Sequence, residues 1–242
     1  MDNTAVNTTA ARNIMTEAEF IKQADRAGAS NARNDEDNFQ NIELANARIE
    51  NKSLARSAEF NFSRLTDVTF VNVNLEGTEW NYTELENVTF IRCKLNRSEM
   101  DYAVMNNVRF DNCFMDSCSF DFASGSAQFN SCHLHGAEFH HTLANLTFNS
   151  CSGEAMELNY CPDLTICAEF CDFHRAEFVD GHFKGTMKQC VLTDSDWYST
   201  DATQLDFVAC GMRSLNISGS SGVTVATGND DDDDDDFDLD FE

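Results

Sequence analysis

The chain has 242 residues and carries 42 acidic side chains against 16 basic ones, a formal net charge of −26. That balance argues against direct binding to DNA, RNA or an anionic membrane, each of which needs clustered Lys and Arg. Residues 230–242 hold ten of the acids and no base, which leaves net −16 on residues 1–229.

Hydrophobic content is 42% with 20 Phe, enough for a sizeable core and against wholesale disorder. No apolar run reaches the roughly 18 residues of a membrane span. The first thirty residues show no basic stretch followed by an apolar one, so no secretory signal is expected and the cytoplasm is the expected compartment. A single Pro implies a chain that makes its turns in another way.

In chain order, residues 1–15 are rich in Asn, Thr and Ala and are read as a flexible N-terminus. Thr16-Glu17-Ala18-Glu19 then has the form of a capping box. Phe20, Ile21, Ala24 and Ala27 follow at helical spacing, and Gly28 is a stop, so a short helix is predicted over 16–27 within a cap and linker of 16–37.

A five-residue period dominates the long middle part of the chain. Phe60, Leu65, Phe70, Leu75, Trp80, Leu85, Phe90, Leu95, Met100, Met105, Phe110, Met115 and Phe120 are all large and apolar, and a smaller residue stands two before each. Five residues advance about 140° around a helix, which would scatter these side chains over every face. An extended segment points residues i−2 and i the same way, and a corner at i+2 then turns the chain. Repetition winds a tube with the small and large residues inside.

This small-x-large-x-x pattern, as in Ala58-Glu59-Phe60-Asn61-Phe62 and Cys93-Lys94-Leu95-Asn96-Arg97, resembles the pentapeptide-repeat proteins. The resemblance covers about residues 38–218. It implies an all-β fold, a right-handed quadrilateral parallel β-helix with about twenty residues per coil. About nine coils, at roughly 4.8 Å each, give a rod of about 43 Å. Phe39, Leu44, Ile49 and Leu54 keep the spacing but run one residue out of step with Phe60. The intervals Phe120–Phe129, Phe139–Phe148 and Phe183–Leu192 are each one residue short. Solenoids need capped ends, and the predicted helix is the cap of the first coil.

Cys93, Cys113, Cys132, Cys151, Cys171, Cys190 and Cys210 recur once per coil and are expected to stack as one interior column of reduced thiols. Cys161 and Cys167 fall outside it, and no CxxC pair suggests zinc. Three faces of centres stay regular. The fourth begins Leu65, Leu85, Met105 and degrades near Gly125, Ala144 and Asp163, beside Pro162, which marks a place for loops. His133, His135, His140, His141, His174 and His182 all lie beside centres and read as solvated surface rather than a metal set.

Beyond residue 218 a Gly/Ser-rich linker is expected over 219–229, with Val223-Thr224-Val225-Ala226 able to add one strand. Asp230, Asp231, Asp232, Asp233, Asp234, Asp235 and Asp236 repel one another and should stay disordered alone, which makes 230–242 an acidic tail. Its end, with Phe237, Leu239 and Phe241 among acids, resembles the acidic tips of bacterial and phage single-stranded DNA-binding proteins, which dock on basic, hydrophobic pockets.

No Gly-rich phosphate loop, GxSxG, HExxH or Ser/His/Asp set is present, so no catalytic residue, cofactor or metal site is expected and the chain reads as a binding protein. The repeat style resembles the quinolone-resistance pentapeptide proteins, which implies an acidic rod about as wide as B-DNA. Such a rod mimics DNA and inhibits a basic partner such as DNA gyrase or another DNA-binding protein. Residues 121–229 hold 13 acids and 4 bases against 12 and 8 in 38–120, so the C-terminal half is the expected mimetic end. Asp172, Glu177, Asp180, Asp194, Asp196, Asp201 and Asp206 are its candidate phosphate surrogates, with the tail as a second element. Those relatives dimerise through a C-terminal helix that this chain replaces with polyaspartate, which leaves the oligomeric state open, a homodimer included. The alternative is a scaffold component of a larger assembly, of phage origin or otherwise, whose tail recruits a basic partner.

Overall fold

The computed structural model describes residues 12–29, 38–54 and 58–223. Short parallel strands stack one coil above the next, with Leu65 over Leu44, Leu85 over Leu65 and Met105 over Leu85 on one side of a rod. We name the four faces by their centres in one coil: Phe60, Leu65, Phe70 and Leu75. On the Leu65 face the sheet climbs from Ile42–Ala45 to Asp201–Val208 in eight steps, so the rod has about eight full turns there. The Phe60 face, from Phe39 to Ile217, adds one step because the chain enters and leaves part-way around.

The corners explain the missing prolines. At the corners, two residues after a centre, the backbone takes a positive φ, between 49° and 62° wherever the residue is not glycine. Pro is locked near −65° and Asn, Asp and Gly reach this region most readily. The first coil has one residue more than the regular twenty, since Leu44 pairs with Leu65 and Ile49 with Phe70. This accounts for the early phase shift.

Inside, dry packing and local hydrogen bonds act together. Phe60 stacks on Trp80 at 3.8 Å, while Phe70, Phe90, Phe110, Phe129 and Phe148 form a second ladder at steps of 4.9 to 5.1 Å. The two ladders meet edge to face, as at Phe120–Phe129, the geometry the ring quadrupole favours. The small interior positions satisfy buried carbonyls. Ser63, Thr83, Thr142 and Cys161 donate to the main-chain oxygens of Phe39, Phe60, Phe120 and Phe139 one coil below. The expected thiol column forms and does likewise: Cys93, Cys113 and Cys132 donate to Phe70, Phe90 and Phe110 at 3.4–3.5 Å. Cys161, outside the column of seven, therefore belongs to a second interior column. Burial pushes the Cys118 and Cys161 thiols up to about 12, which keeps them protonated.

The Leu65 face departs from expectation in kind. The short coils make no loops. Instead the corner after this face disappears, and Ser124–Asn130, Leu143–Asn149, Leu164–Glu169 and His182–Lys188 run through as continuous strands. The register slips by one between Met105 and Val108 where this begins. Gly125 makes the slip, with φ of 100° and no room for a Cβ, which would lie 1.9 Å from the Met105 carbonyl oxygen. Gly185 repeats the device against Ile166. Asp163 is not a centre: Leu164 pairs in line with Ala144, is buried, and is followed one coil later by Phe183. The extra residue at Pro162–Asp163 restores the inward phase.

Both predicted ends carry structure. The helix spans Glu17–Ala29, and its capping box closes as Thr16 N and Oγ1 donate to Glu19 at 2.9 and 2.8 Å. Phe20 is fully buried, 4.6 Å from the Phe39 ring, and plugs the lower end of the core. Residues 13–15, expected as part of a flexible N-terminus, form a strand under Ile42–Leu44 and cover the first edge. At the other end Ser221 bridges to Asp201 and Val223 is buried, while the rest of the suggested strand, 224–226, lies outside the described residues.

Candidate protein-binding surface

The exterior repeats once per coil as strictly as the interior. One position before each centre of the Phe60 face stand Glu59, Glu79, Glu99, Ser119, Glu138, Glu157, Glu177 and Asp196, each bridged in parallel register to the next. A column of seven carboxylates interrupted by one serine thus runs almost the length of the rod. One position after the centres stand Asn61, Asn81, Asp101, Asp121, His140 and Asn159. These close the backbone, since Asn61, Asn81, Asp101 and Asp121 accept the main-chain N–H of Asn81, Asp101, Asp121 and His140 above them, at 2.7–3.1 Å.

Counter-charges sit elsewhere. Arg97–Glu76 and Arg175–Glu154 pair on the Leu75 face, Lys188–Glu169 and Arg109–Asp111 on the Phe70 face, and Arg12–Glu84 and Lys184–Asp163 on the Leu65 face. Among the described residues no Lys or Arg pairs with the Phe60-face column. Burial, reinforced by the neighbouring carboxylates Asp121 and Glu99, holds the Asp101 carboxyl above the usual range despite its hydrogen bond from Ser119. Burial does the same for Glu138, with Glu157 and Asp121 adding to it and His140 opposing it.

Among the described residues His140 is the one basic group on this face. Its Nδ1 lies 3.4 Å from Asp121 and its Nε2 3.1 Å from Glu157. Asp121, Glu138 and His140 bring ligand atoms within 4.8 Å of one another. His140 is thus half-buried between carboxylates rather than solvated, because stacking at 19-residue intervals joins residues the sequence separates. The other histidines disperse: His133 stacks on Phe114 at 4.9 Å, and His182 lies 3.5 Å from Asp201.

The seven candidate surrogates do not form one surface. Glu177 and Asp196 stack within the carboxylate column. Asp180 and Asp194 are corner residues on different edges, Asp172 lies on the Leu75 face, and Asp201 and Asp206 lie on the strand Asp201–Val208. Asp201 is tied down by Thr203, whose hydroxyl and N–H hold its carboxyl below the usual range. Asp230, Asp231, Asp232, Asp233, Asp234, Asp235, Asp236, Phe237, Leu239 and Phe241 lie outside the described residues. Sequence reasoning misses Glu59, Glu79, Glu99, Glu138 and Glu157, although they recur at the same 19- and 20-residue intervals as the cysteines.

The corner between the Phe60 and Leu65 faces holds a second exterior column. Phe62, Tyr82, Tyr102, Phe122, His141 and Tyr160 stack ring on ring at 4.7–5.3 Å, all exposed. All take φ of 55° to 62°. That conformation costs a bulky residue roughly 1–2 kcal/mol, an amount that stacking, at about 0.5–1.5 kcal/mol per pair, offsets.

The family model for pentapeptide repeats matches eight copies over residues 70–107. The chain is a pentapeptide-repeat protein. No curated protein sequence matches it. Among solved structures this pentapeptide-repeat protein is similar to HetL, a pentapeptide-repeat protein involved in heterocyst differentiation regulation from the cyanobacterium Nostoc sp. strain PCC 7120. They share 15% identity over 85% of this chain and 96% of that one, with a TM-score of 0.42. It is also similar to a trypsin-treated form of QnrB1, a plasmid-mediated fluoroquinolone resistance protein. Identity there is 16% over 73% of this chain and 84% of that one, with a TM-score of 0.37. Superpositions this loose carry no argument for function. Among the described residues no helix is long and apolar enough to cross a membrane.

Proposed function

We propose that this pentapeptide-repeat protein is a non-enzymatic acidic binding protein that occupies the DNA-binding surface of a basic partner. DNA gyrase is the example that its resemblance to the quinolone-resistance members implies. One observation carries the reading: among the described residues the Phe60 face bears a column of carboxylates with no Lys or Arg on its exterior positions, while each of the other three faces carries Lys or Arg paired with acids. At the strand spacing of about 4.8 Å the column repeats its charge somewhat less densely than one DNA strand, which carries a phosphate about every 3.4 Å. Long-range attraction to a basic groove follows and is screened by salt. Asp172, Asp180, Asp194, Asp201 and Asp206 would extend the negative field around the upper rod, and the tail would add to it.

Competition tests the reading. At low salt the protein is expected to displace DNA from gyrase or from another basic DNA-binding protein, with an effect that fades steeply as salt rises. Changing Glu79, Glu99, Glu138 and Glu157 to Gln should abolish displacement. The same change at four acids of the other faces should weaken it only slightly. Failure to displace DNA at low salt would sink the proposal, as would equal effects of the two sets. Deletion of 229–242 separates rod from tail: unchanged displacement assigns the activity to the rod, and complete loss assigns it to the tail.

A further inference from the structure

The aromatic corner is not needed to build the rod. Across the other corners the same backbone is occupied by Asn, Asp, Ser, Gly, Ala, Gln or Arg, with Phe170 the only aromatic among the described residues. Six consecutive coils nevertheless place a ring in a conformation that bulky side chains avoid, and strain kept in this way points toward function. Stacking consumes the ring faces, so the column presents ring edges, an aromatic ridge about 25 Å long with hydroxyls at Tyr82, Tyr102 and Tyr160. Val104 and Leu143, both exposed, flank it on the Leu65 face. On its other side runs the carboxylate column, three residues away along the chain, a lateral distance of about 10 Å.

We propose that the ridge and the adjoining carboxylate column together dock one basic amphipathic helix of a partner protein, laid along the rod. The dimensions match such an occupant. A helix with its side chains is about 10–12 Å wide, and about 16 residues span 25 Å. Its apolar stripe would cover the edges of Tyr82, Tyr102 and Phe122, and its Lys or Arg row would face Glu99 and Glu138. The occupant is basic by charge complementarity with a face that has no Lys or Arg of its own, so the inference rests on the proposed basic partner. It adds an apolar contact that DNA does not offer, and hence a basis for choosing one basic protein over others.

The test uses the full chain and two synthetic 16-residue peptides of identical Leu and Lys content. One is patterned to form an amphipathic helix and the other is scrambled to have no apolar face. By calorimetry the patterned peptide should bind at least about tenfold more tightly, the scale of a few aromatic anchors. A variant carrying Tyr82→Asn, Tyr102→Asn and Phe122→Asn should lose that preference while binding the scrambled peptide as before. Asn suits the corner conformation, and circular dichroism would verify that the variant is folded. Equal binding of the two peptides, or a preference that survives in the variant, overturns the inference and leaves the acidic reading standing. If neither peptide binds at low salt, both fall. A ridge-dependent dimer of the chain alone, seen by sedimentation and absent from the variant, would assign the ridge to a second copy and overturn the helix.

Discussion

Two diagonally opposed corners of the rod share one backbone and differ in chemistry. Beyond the Phe70 face the corner reads Asn51, Asn72, Arg92, Asn112, Ser131 and Ser150; beyond the Phe60 face it reads Phe62, Tyr82, Tyr102, Phe122, His141 and Tyr160. At the first, short polar side chains bond along the column, as Asn72 does to Asn51 at 2.7 Å. At the second, rings stack. Closely similar φ values with unlike residues mean that the fold dictates the turn and leaves the side chain free. What occupies a corner is therefore set by something outside the coil.

The largest effect should come where a corner has been removed altogether. Gly125→Ala forces a Cβ into the Met105 carbonyl and is expected to cost on the order of 3 kcal/mol or more in urea denaturation. Gly136→Ala, at an intact corner whose nearest obstacle is Ser117 Oγ at 3.9 Å, should cost about 1 kcal/mol. Similar losses at both sites would break the distinction between rounded and square corners.

Exchanging the two corner types should matter less. Tyr102→Asn removes two ring contacts and relieves backbone strain, so its stability should stay within about 1 kcal/mol of the parent. Asn112→Tyr should be equally mild. A loss several times greater for Tyr102→Asn would make the aromatic column a structural device.

Acid should separate the unpaired face from the paired ones. Asp101 and Glu138 have raised pKa values, so the folded chain binds their protons more tightly than the unfolded chain does, and stability should rise as pH falls from neutral toward them. Glu84 behaves oppositely: burial pushes it up, but the hydrogen bonds and charges of Arg12 and Arg64 together hold it low. Glu19, held low by the Thr16 N–H and hydroxyl, acts in the same sense. Their contribution is present above the ordinary carboxylate pKa of about 4.3 and is lost below it. The thermal midpoint should therefore pass through a maximum on the acid side of neutrality. A monotonic fall from pH 7 would contradict this.

The smallest perturbation is chemical labelling of the thiols. Iodoacetamide under native conditions should modify exposed Cys167 and, more slowly, half-buried Cys210, leaving the other eight for the unfolded chain. Peptide mapping would reveal early labelling of Cys132 or Cys151, which would mean that the rod opens in its middle.

The residues that point inward are almost fully legible in the sequence. Phe60, Trp80 and the cysteine column follow from one period, because a five-residue repeat fixes which side chains share the interior. The exterior obeys the same arithmetic, but counting charge by halves of the chain hides it. That count places the acidity toward the C-terminal half, whereas the carboxylate column starts at Glu59. Asp172, Asp194 and Asp206 group together in the sequence, yet they face different directions. His140 reads as solvated because Asp121 and Glu157 lie 19 and 17 residues away, and only stacking brings them to it.

The sequence by itself determined the coil: a small residue, a large residue and a corner every five positions admit one way to bury the large side chains. It also determined the helix that begins at Thr16. Tertiary structure alone decided which exterior residues become neighbours. Along the rod, contact is made between residues about twenty positions apart, and a single omitted residue, as at Gly125, changes the alignment of every later coil. The carboxylate face and the aromatic ridge exist only once those omissions have been summed in three dimensions.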